Sequence, residues 1–435
     1  MNAIQRIFRR TGYLLLVLLL AVTGMAGSGR QTHAAAAAAA SAPSYVYFVS
    51  DEALYRVSAD GRETLKLTDH FEGKGLTSTG KYLYFYYENA MGIQRISMVN
   101  PDTAVTNFLE DRYILYYLFD GPYLYFLDDT GHIYRTWADA GEDPQLTLIA
   151  DNADMSFKAF DVRNGRLYYN ALRNSTERWV ASRPRDGSGA IQWIASGVVP
   201  KSWFFHAYHT TNRLVVDTAP EETEYSLNSM VLYTLPLSGG TPKAANAGNP
   251  LKSNDVNSGT WSGQFFLFNK GIKLDAEGED FNYNTGKGYL MDKNGKILQL
   301  SQNSVTSISE IAGNKLVYAD AKGKAYISTL ANGKVISTRP LPLTNVKDIR
   351  TVKNGTALTT ILFTTTDAYV LNSNSTLTKM SGVDSDYAVL ADHIPGLYYI
   401  NAPDNNALYR FSNDGKIKTK LFPGPVSYIA LVSGK

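Results

Sequence analysis

A short aromatic strand pattern returns nine times along this chain, at intervals of about 40 to 50 residues. A period of that size confines a sequence to stacked, repeated architectures. The clearest copies are Tyr45-Val46-Tyr47-Phe48, Tyr82-Leu83-Tyr84-Phe85 and Tyr123-Leu124-Tyr125-Phe126. Weaker ones follow at Leu167-Tyr168-Tyr169, Leu214-Val215-Val216, Phe265-Phe266-Leu267-Phe268, Leu316-Val317-Tyr318, Ile361-Leu362-Phe363 and Leu397-Tyr398-Tyr399-Ile400. Glycine turns punctuate each unit at two places. One set enters the aromatic strand: Thr79-Gly80, Asp120-Gly121, Asn164-Gly165, Ser262-Gly263, Asn354-Gly355 and Pro395-Gly396. The other follows the third strand: Asp60-Gly61, Asp186-Gly187, Gly239-Gly240, Asn294-Gly295, Asn332-Gly333 and Asp414-Gly415. Asn-Gly and Asp-Gly pairs supply the positive φ that tight hairpins need.

Each unit therefore reads as a four-stranded antiparallel meander, and tandem meanders without helical spacers pack as the blades of a β-propeller. The fold class is all-β, a single propeller. Nine blades is the literal count; eight is the alternative, because the copies around Leu214 and Ile361 are weak. The strand at Tyr45 lacks a preceding partner, while Val426 to Val432 is a spare strand. Joining the two closes the ring and removes an exposed edge.

Composition fits short strands and tight turns, with 35 glycines and 29 tyrosines against 18 phenylalanines and 5 tryptophans. Arg6, Arg9 and Arg10 precede a run of about ten apolar residues from Tyr13 to Val22, followed by small residues and alanines. That order reads as a signal peptide over 1–35, too short to span a bilayer, with an Ala-rich linker over 36–43 and the propeller over 44–435. The leader carries four arginines and no acid, so its removal turns the net +2 of the chain into −2. A dedicated nucleic-acid binder is excluded by that balance. Zero cysteines exclude disulfides and a lipoprotein anchor. The expectation is a secreted or cell-surface bacterial protein, monomeric, with no membrane span once the leader is cleaved.

Tyr45-Val46-Tyr47-Phe48 with Leu54-Tyr55-Arg56-Val57 and Asp60-Gly61 resembles the YWTD-type propeller of low-density-lipoprotein receptors. More closely, it is similar to bacterial secreted proteins that carry a related propeller domain of unknown function. The resemblance spans about Ser44 to Lys435 and is strongest in the first three repeats and in Leu408-Tyr409-Arg410-Phe411. Trp-Thr-Asp is absent after the tyrosine; Phe48-Val49-Ser50 and Phe126-Leu127-Asp128 stand there instead. What the resemblance implies is a fold and an interaction role, with no catalytic residue.

Chemical motifs are sparse. Neither Gly-x-Ser-x-Gly nor His-Glu-x-x-His occurs. His206 and His209, three apart on a strand, face opposite ways. Gly75 to Tyr82 approaches a phosphate loop, but Tyr82 replaces the magnesium-binding hydroxyl and a strand follows where a helix is needed, so Gly80-Lys81 is a hairpin turn. Carboxylates at second-strand ends, Asp128, Asp129, Asp217 and Asp320, are candidates for sugar chemistry, but none recurs with catalytic neighbours. No catalytic or metal-ligating residue is assigned.

Loop lengths carry more information. Two neighbouring loops between second and third strands are long, Thr218 to Ser229 and Asn269 to Lys287, and long loops on a rigid scaffold tend to carry binding. They hold the candidate binding residues Glu221, Glu222, Glu224, Tyr225, Asp275, Glu277, Glu279, Asp280, Phe281 and Tyr283. Calcium would suit such oxygens, but the spacing matches no calcium loop, so no cofactor is expected. Inner strands carry Tyr113, Tyr116, Phe157, Phe160, Phe204, Tyr208 and Tyr428, which read mainly as packing between blades. The expected function is non-catalytic binding of a protein or cell-wall glycan at the long-loop face. The alternative is a polysaccharide lyase or glycoside hydrolase.

Overall fold

A computed structural model describes residues 45–432 apart from short stretches, the longest being 195–207, 219–230, 237–242 and 245–255. Across 208–264 it describes strand backbone only. Nine four-stranded antiparallel sheets form among the described residues, and the nine aromatic repeats are the second strands of the nine sheets. The weak copies earn their own blades, as Arg213–Thr218 and Ala357–Thr364. Numbered in chain order, the innermost strands of blades 2, 3, 7, 8 and 9 are Lys74–Ser78, Ile114–Asp120, Val305–Ala312, Val346–Asn354 and Ala388–Ala391.

Blade 1 takes its innermost strand from the far end of the sequence. Tyr428–Val432 pairs antiparallel with Tyr45–Ser50, with Tyr45 opposite Val432 and Val49 opposite Tyr428. Apolar clusters sit at the seams between successive blades. At the closing seam, Val46, Phe48 and Val57 of blade 1 pack with Ile394, Tyr398 and Leu408 of blade 9. The core is thus a series of inter-blade layers, and closing the ring gives the last layer its second wall.

Turn chemistry mostly follows the sequence among the described residues, outside which Gly80, Asn164, Gly239-Gly240, Gly263, Asn294-Gly295 and Gly355 lie. Asn332 and Gly333 have φ of 50° and 65° between the paired residues Ala331 and Lys334, the geometry of a two-residue hairpin with both central residues left-handed. Pro395-Gly396 departs from expectation, because it lies inside the second strand of blade 9, Ile394–Asn401, and the chain reverses at 392–393. Gly396 serves close packing there: a Cβ would lie 2.7 Å from Arg410 Nε and 2.7 Å from the Phe411 carbonyl oxygen of the adjacent strand.

The repeated Tyr-x-Tyr-Phe has a position-by-position explanation. The first tyrosine lies under a third-strand arginine: Arg56, Arg95 and Arg135 sit 4.5, 4.3 and 4.6 Å from the rings of Tyr45, Tyr82 and Tyr123. Its neighbour two residues on is buried and reaches into the next blade. Tyr84 donates to the Ala138 carbonyl, Tyr125 donates to the Arg185 carbonyl at 3.2 Å, and Tyr47 approaches Met98 Sδ. The aromatic that follows stacks on the residue directly across the sheet. These pairs are Phe48 with Tyr55, Phe126 with Tyr134, Phe268 with Tyr289, Tyr318 with Tyr326 and Tyr399 with Tyr409, with centroids 5.3 to 5.8 Å apart.

Third-strand arginines bolt three of the blades to the next. Arg95 Nη1 donates to the Ala140 carbonyl of blade 3 at 2.8 Å, and Arg135 Nη1 to the Arg185 carbonyl of blade 4 at 3.4 Å. Arg410 Nη1 of blade 9 donates to the Ala59 carbonyl of blade 1 at 2.9 Å. That last bond repeats the inter-blade link across the closing seam.

Candidate functional site

The acidic loop residues are only partly described. Glu221, Glu222, Glu224 and Tyr225 lie outside the described residues, as do Glu277, Glu279 and Asp280. The loop from Asn269 to Lys287 holds more order than an irregular connection: Lys273–Leu274 and Phe281–Asn282 form a small hairpin, followed by a 3-10 turn over Tyr283–Thr285. The Asn282 side chain caps that turn by accepting from Asn284 N at 3.1 Å, and Thr285 Oγ1 accepts from Lys273 N at 2.8 Å. Asp275 leads into the hairpin tip; Phe281 and Tyr283 are placed by their backbone alone. Of the two histidines, His206 falls outside the described residues and His209 lies on a backbone strand. No group of three or more metal-ligating side chains occurs among the described residues, and no helix there is long and apolar enough to cross a membrane. Gly80 is not described, and the flanking Thr79 N donates to the Tyr82 carbonyl at 3.1 Å ahead of the strand Tyr82–Tyr86.

Two of the second-strand carboxylates are held by their own hairpins. Asp128 is 3% exposed; its Oδ1 accepts from Thr130 N and His132 N, both at 3.0 Å, and from Thr130 Oγ1 at 2.6 Å. Its Oδ2 receives Arg112 Nη1 at 3.3 Å. Asp320 is 1% exposed and repeats the arrangement, with Oδ1 accepting from Lys322 N and Lys324 N, both at 3.0 Å, and Oδ2 from Asn303 Nδ2 at 2.9 Å. Placing a carboxylate there satisfies backbone donors of its own turn. Asp129 is exposed, and its backbone N donates to the Tyr113 carbonyl at 3.1 Å. Asp217 is described by its strand backbone.

Near the ring axis, the inner strands of blades 1, 2 and 3 enclose a cleft of about 600 Å³. Its walls include Leu76 and Thr77 of blade 2, Tyr117 and Leu118 of blade 3, and Leu431 and Val432 of blade 1. Ser78, Thr79 and Asp139 line it toward the glycine turns, where Thr79 Oγ1 donates to Asp139 Oδ1 at 2.8 Å. That volume suits a small ligand, and apolar walls with a few fixed hydroxyls are the usual make-up of such sites.

Tyr117 joins the cleft to Tyr86, at the end of the second strand of blade 2, and to Tyr428, at the start of the inner strand of blade 1. Its hydroxyl donates to the Gly75 carbonyl at 3.0 Å, and its ring meets Tyr86 edge-on, 6.0 Å between centroids at 85°. Tyr86 pairs with Lys74 at one end of the inner strand of blade 2, while the cleft lies along Leu76 to Thr79. Gly75, with φ of 68°, lets the Tyr86 ring settle: a Cβ there would lie 2.7 Å from Tyr86 Cε1. Tyr428 stands at the corresponding end of the inner strand of blade 1. Burial pushes the hydroxyls of Tyr117 and Tyr428 up from the ordinary tyrosine value, and the nearby Tyr86 hydroxyl adds to both effects. Tyr86 and Tyr428 remain 38% and 37% exposed.

No family model matches this chain, and no curated protein matches it in sequence. Among solved structures it is similar to the tricorn protease at 10% identity and a TM-score of 0.41, covering 90% of this chain and 43% of that one. It is similar to apo AztD from Citrobacter koseri at 8% identity and a TM-score of 0.38, over 79% of this chain and 95% of that one. BamB from Moraxella catarrhalis gives 12% identity and a TM-score of 0.38, over 78% and 94%. The assignment of a β-propeller rests on the chain's own nine sheets and their order.

Proposed function

We propose that this chain is an exported, non-catalytic binding propeller of the bacterial cell surface, delivered by a leader over residues 1–35 and free of the membrane once that leader is cleaved. The ligand is a protein or a cell-wall glycan. The observation that carries this reading is the pre-formed cleft between the inner strands of blades 1 to 3, about 600 Å³ in volume and lined by apolar and hydroxyl side chains. Asp128 and Asp320, candidates for sugar chemistry, each have Oδ1 committed to hairpin donors and Oδ2 to a side chain from another strand or loop, Arg112 or Asn303, which favours binding over bond cleavage. The long loops after Thr218 and Asn269 are further candidates for ligand contact in this reading.

Incubating the exported protein with envelope fractions, then analysing what co-sediments and whether polymer is cut, tests the proposal. Retention without cleavage is the expected result. New reducing or unsaturated ends would overturn it in favour of a lyase or hydrolase, and absence of retention would remove the binding reading altogether.

A further inference from the structure

We infer that Tyr86, Tyr117 and Tyr428 and the inner cleft beside them form one extended site for a neutral oligosaccharide. This inference rests on the binding reading above and names the ligand class and the residues that would take it.

The geometry is continuous. Tyr86 and Tyr428 begin the site and Tyr117 belongs to both parts, since it touches the Tyr86 ring and lines the cleft. From Tyr428 to Val432 is four residues along one face of a strand, about 13 Å at the usual rise. A ligand reaching from the tyrosines into the cleft is therefore elongated.

The chemistry selects among elongated ligands. An exposed tyrosine presents an apolar face and a hydroxyl at its tip, which matches a pyranose ring with its C–H face and equatorial hydroxyls. Tyr86 is fixed before any ligand arrives, because the close approach of Gly75 and the edge of Tyr117 set its ring. Pre-set aromatic surfaces bind with little ordering cost. Farther in, Leu118, Leu431 and Val432 offer apolar contact beside Thr77, whose hydroxyl bonds weakly to the Gly75 carbonyl at 3.4 Å. Asp139, the charged side chain in the described wall, already accepts from Thr79. An uncharged, hydroxyl-rich chain fits that lining, whereas an anionic polymer would find no basic side chain in it to neutralise its charge. An extended peptide is the competing class, because each inner strand is the end member of its sheet and has a sheet neighbour on one side only.

The test is calorimetric titration of the exported protein with a hexamer of N-acetylglucosamine, with cellohexaose, and with an uncharged hexapeptide as the competing class. At least one sugar binds and the peptide does not. Tyr86→Ala and Tyr428→Ala each weaken the sugar about tenfold, the loss of one stacking surface, while Tyr86→Phe stays within about threefold. Thr77→Trp, which fills the cleft from its wall, removes binding and covers the case in which an alanine variant fails to fold. Ile336→Ala, on an outer strand, leaves affinity unchanged. Peptide binding without sugar binding overturns the inference, as does sugar affinity indifferent to Tyr86, Tyr428 and Thr77. Envelope retention that survives all three substitutions sinks this site while leaving the broader binding function standing.

Discussion

Blades 1 to 3 and blades 7 to 9 solve the same packing problem at different radii. In the first group the ties run from the second and third strands to the turn beyond the third strand of the next blade, as Tyr84 to Ala138 and Arg95 to Ala140 show. Toward the axis, a long spacer, Tyr117, bridges blade 3 to Gly75 of blade 2. In the second group short side chains join the inner strands themselves: Ser309 Oγ donates to Thr351 Oγ1 at 2.6 Å, and Ser307 Oγ accepts from Ile349 N at 2.9 Å. Arg350 Nη1 then reaches the Ala388 carbonyl of blade 9 at 2.7 Å. A serine–threonine bond forms only where two strands nearly touch, whereas a tyrosine holds them a ring's length apart. The cleft lies along the tyrosine spacer.

The largest blow to this arrangement is removal of Tyr428–Val432, which serves both the closing seam and the cleft wall. A chain ending at Pro425 should lose cooperative unfolding and elute as aggregate in size-exclusion chromatography, because the Tyr45–Ser50 strand becomes a free edge.

Alkaline pH should next strike the tyrosine-rich side. Burial pushes the Tyr84 hydroxyl up to about 12, from an ordinary value of 10.0. Below pH 10 both states keep the proton and stability is flat. Above pH 10 the unfolded chain ionises first, so stability falls by about 1.4 kcal/mol per pH unit for this residue until the folded hydroxyl also ionises. Denaturant midpoints measured from pH 8 to 11.5 should decline above pH 10, less steeply in Tyr84→Phe.

At neutral pH, Arg95→Met should cost about 2 to 3 kcal/mol, by losing a bond to a carbonyl and the contact with two rings, Tyr82 and Phe108, each 4.3 Å away. Urea unfolding checks it. Ser309→Ala should cost about 1 kcal/mol, since apolar neighbours keep that seam closed when one hydroxyl bond is lost. Equal losses in the two variants would erase the proposed contrast between outer and inner ties.

Much of this fold was legible because it lies in local periodicity. Each aromatic repeat is a second strand, and the spare strand after Val426 completes blade 1. Pro395-Gly396 misled because a glycine required by a close neighbour, Arg410, reads in sequence like a glycine required by a turn. The cleft was not legible, since the separation of inner strands is set by side-chain length across a seam. A signal did exist: Tyr117 on one inner strand against Ser307, Ser309 and Thr351 on others. Tyr428 reads in sequence as a packing residue. The long acidic loops stood out by length alone, and length says nothing of which side chains converge.

Closure also sets a clock. Val49 and Ser427, which share a backbone bond at the closing seam, are 378 positions apart. At about 5 to 20 residues per second, synthesis of the chain between them takes roughly 20 to 75 seconds, during which blade 1 lacks its inner strand. Bringing such distant segments together costs about 5 kcal/mol of chain entropy by the logarithmic loop term alone. The N-terminal blade is therefore the first to emerge and the last to be finished, and any factor that guards the nascent chain must shield the Tyr45–Ser50 edge for that whole interval.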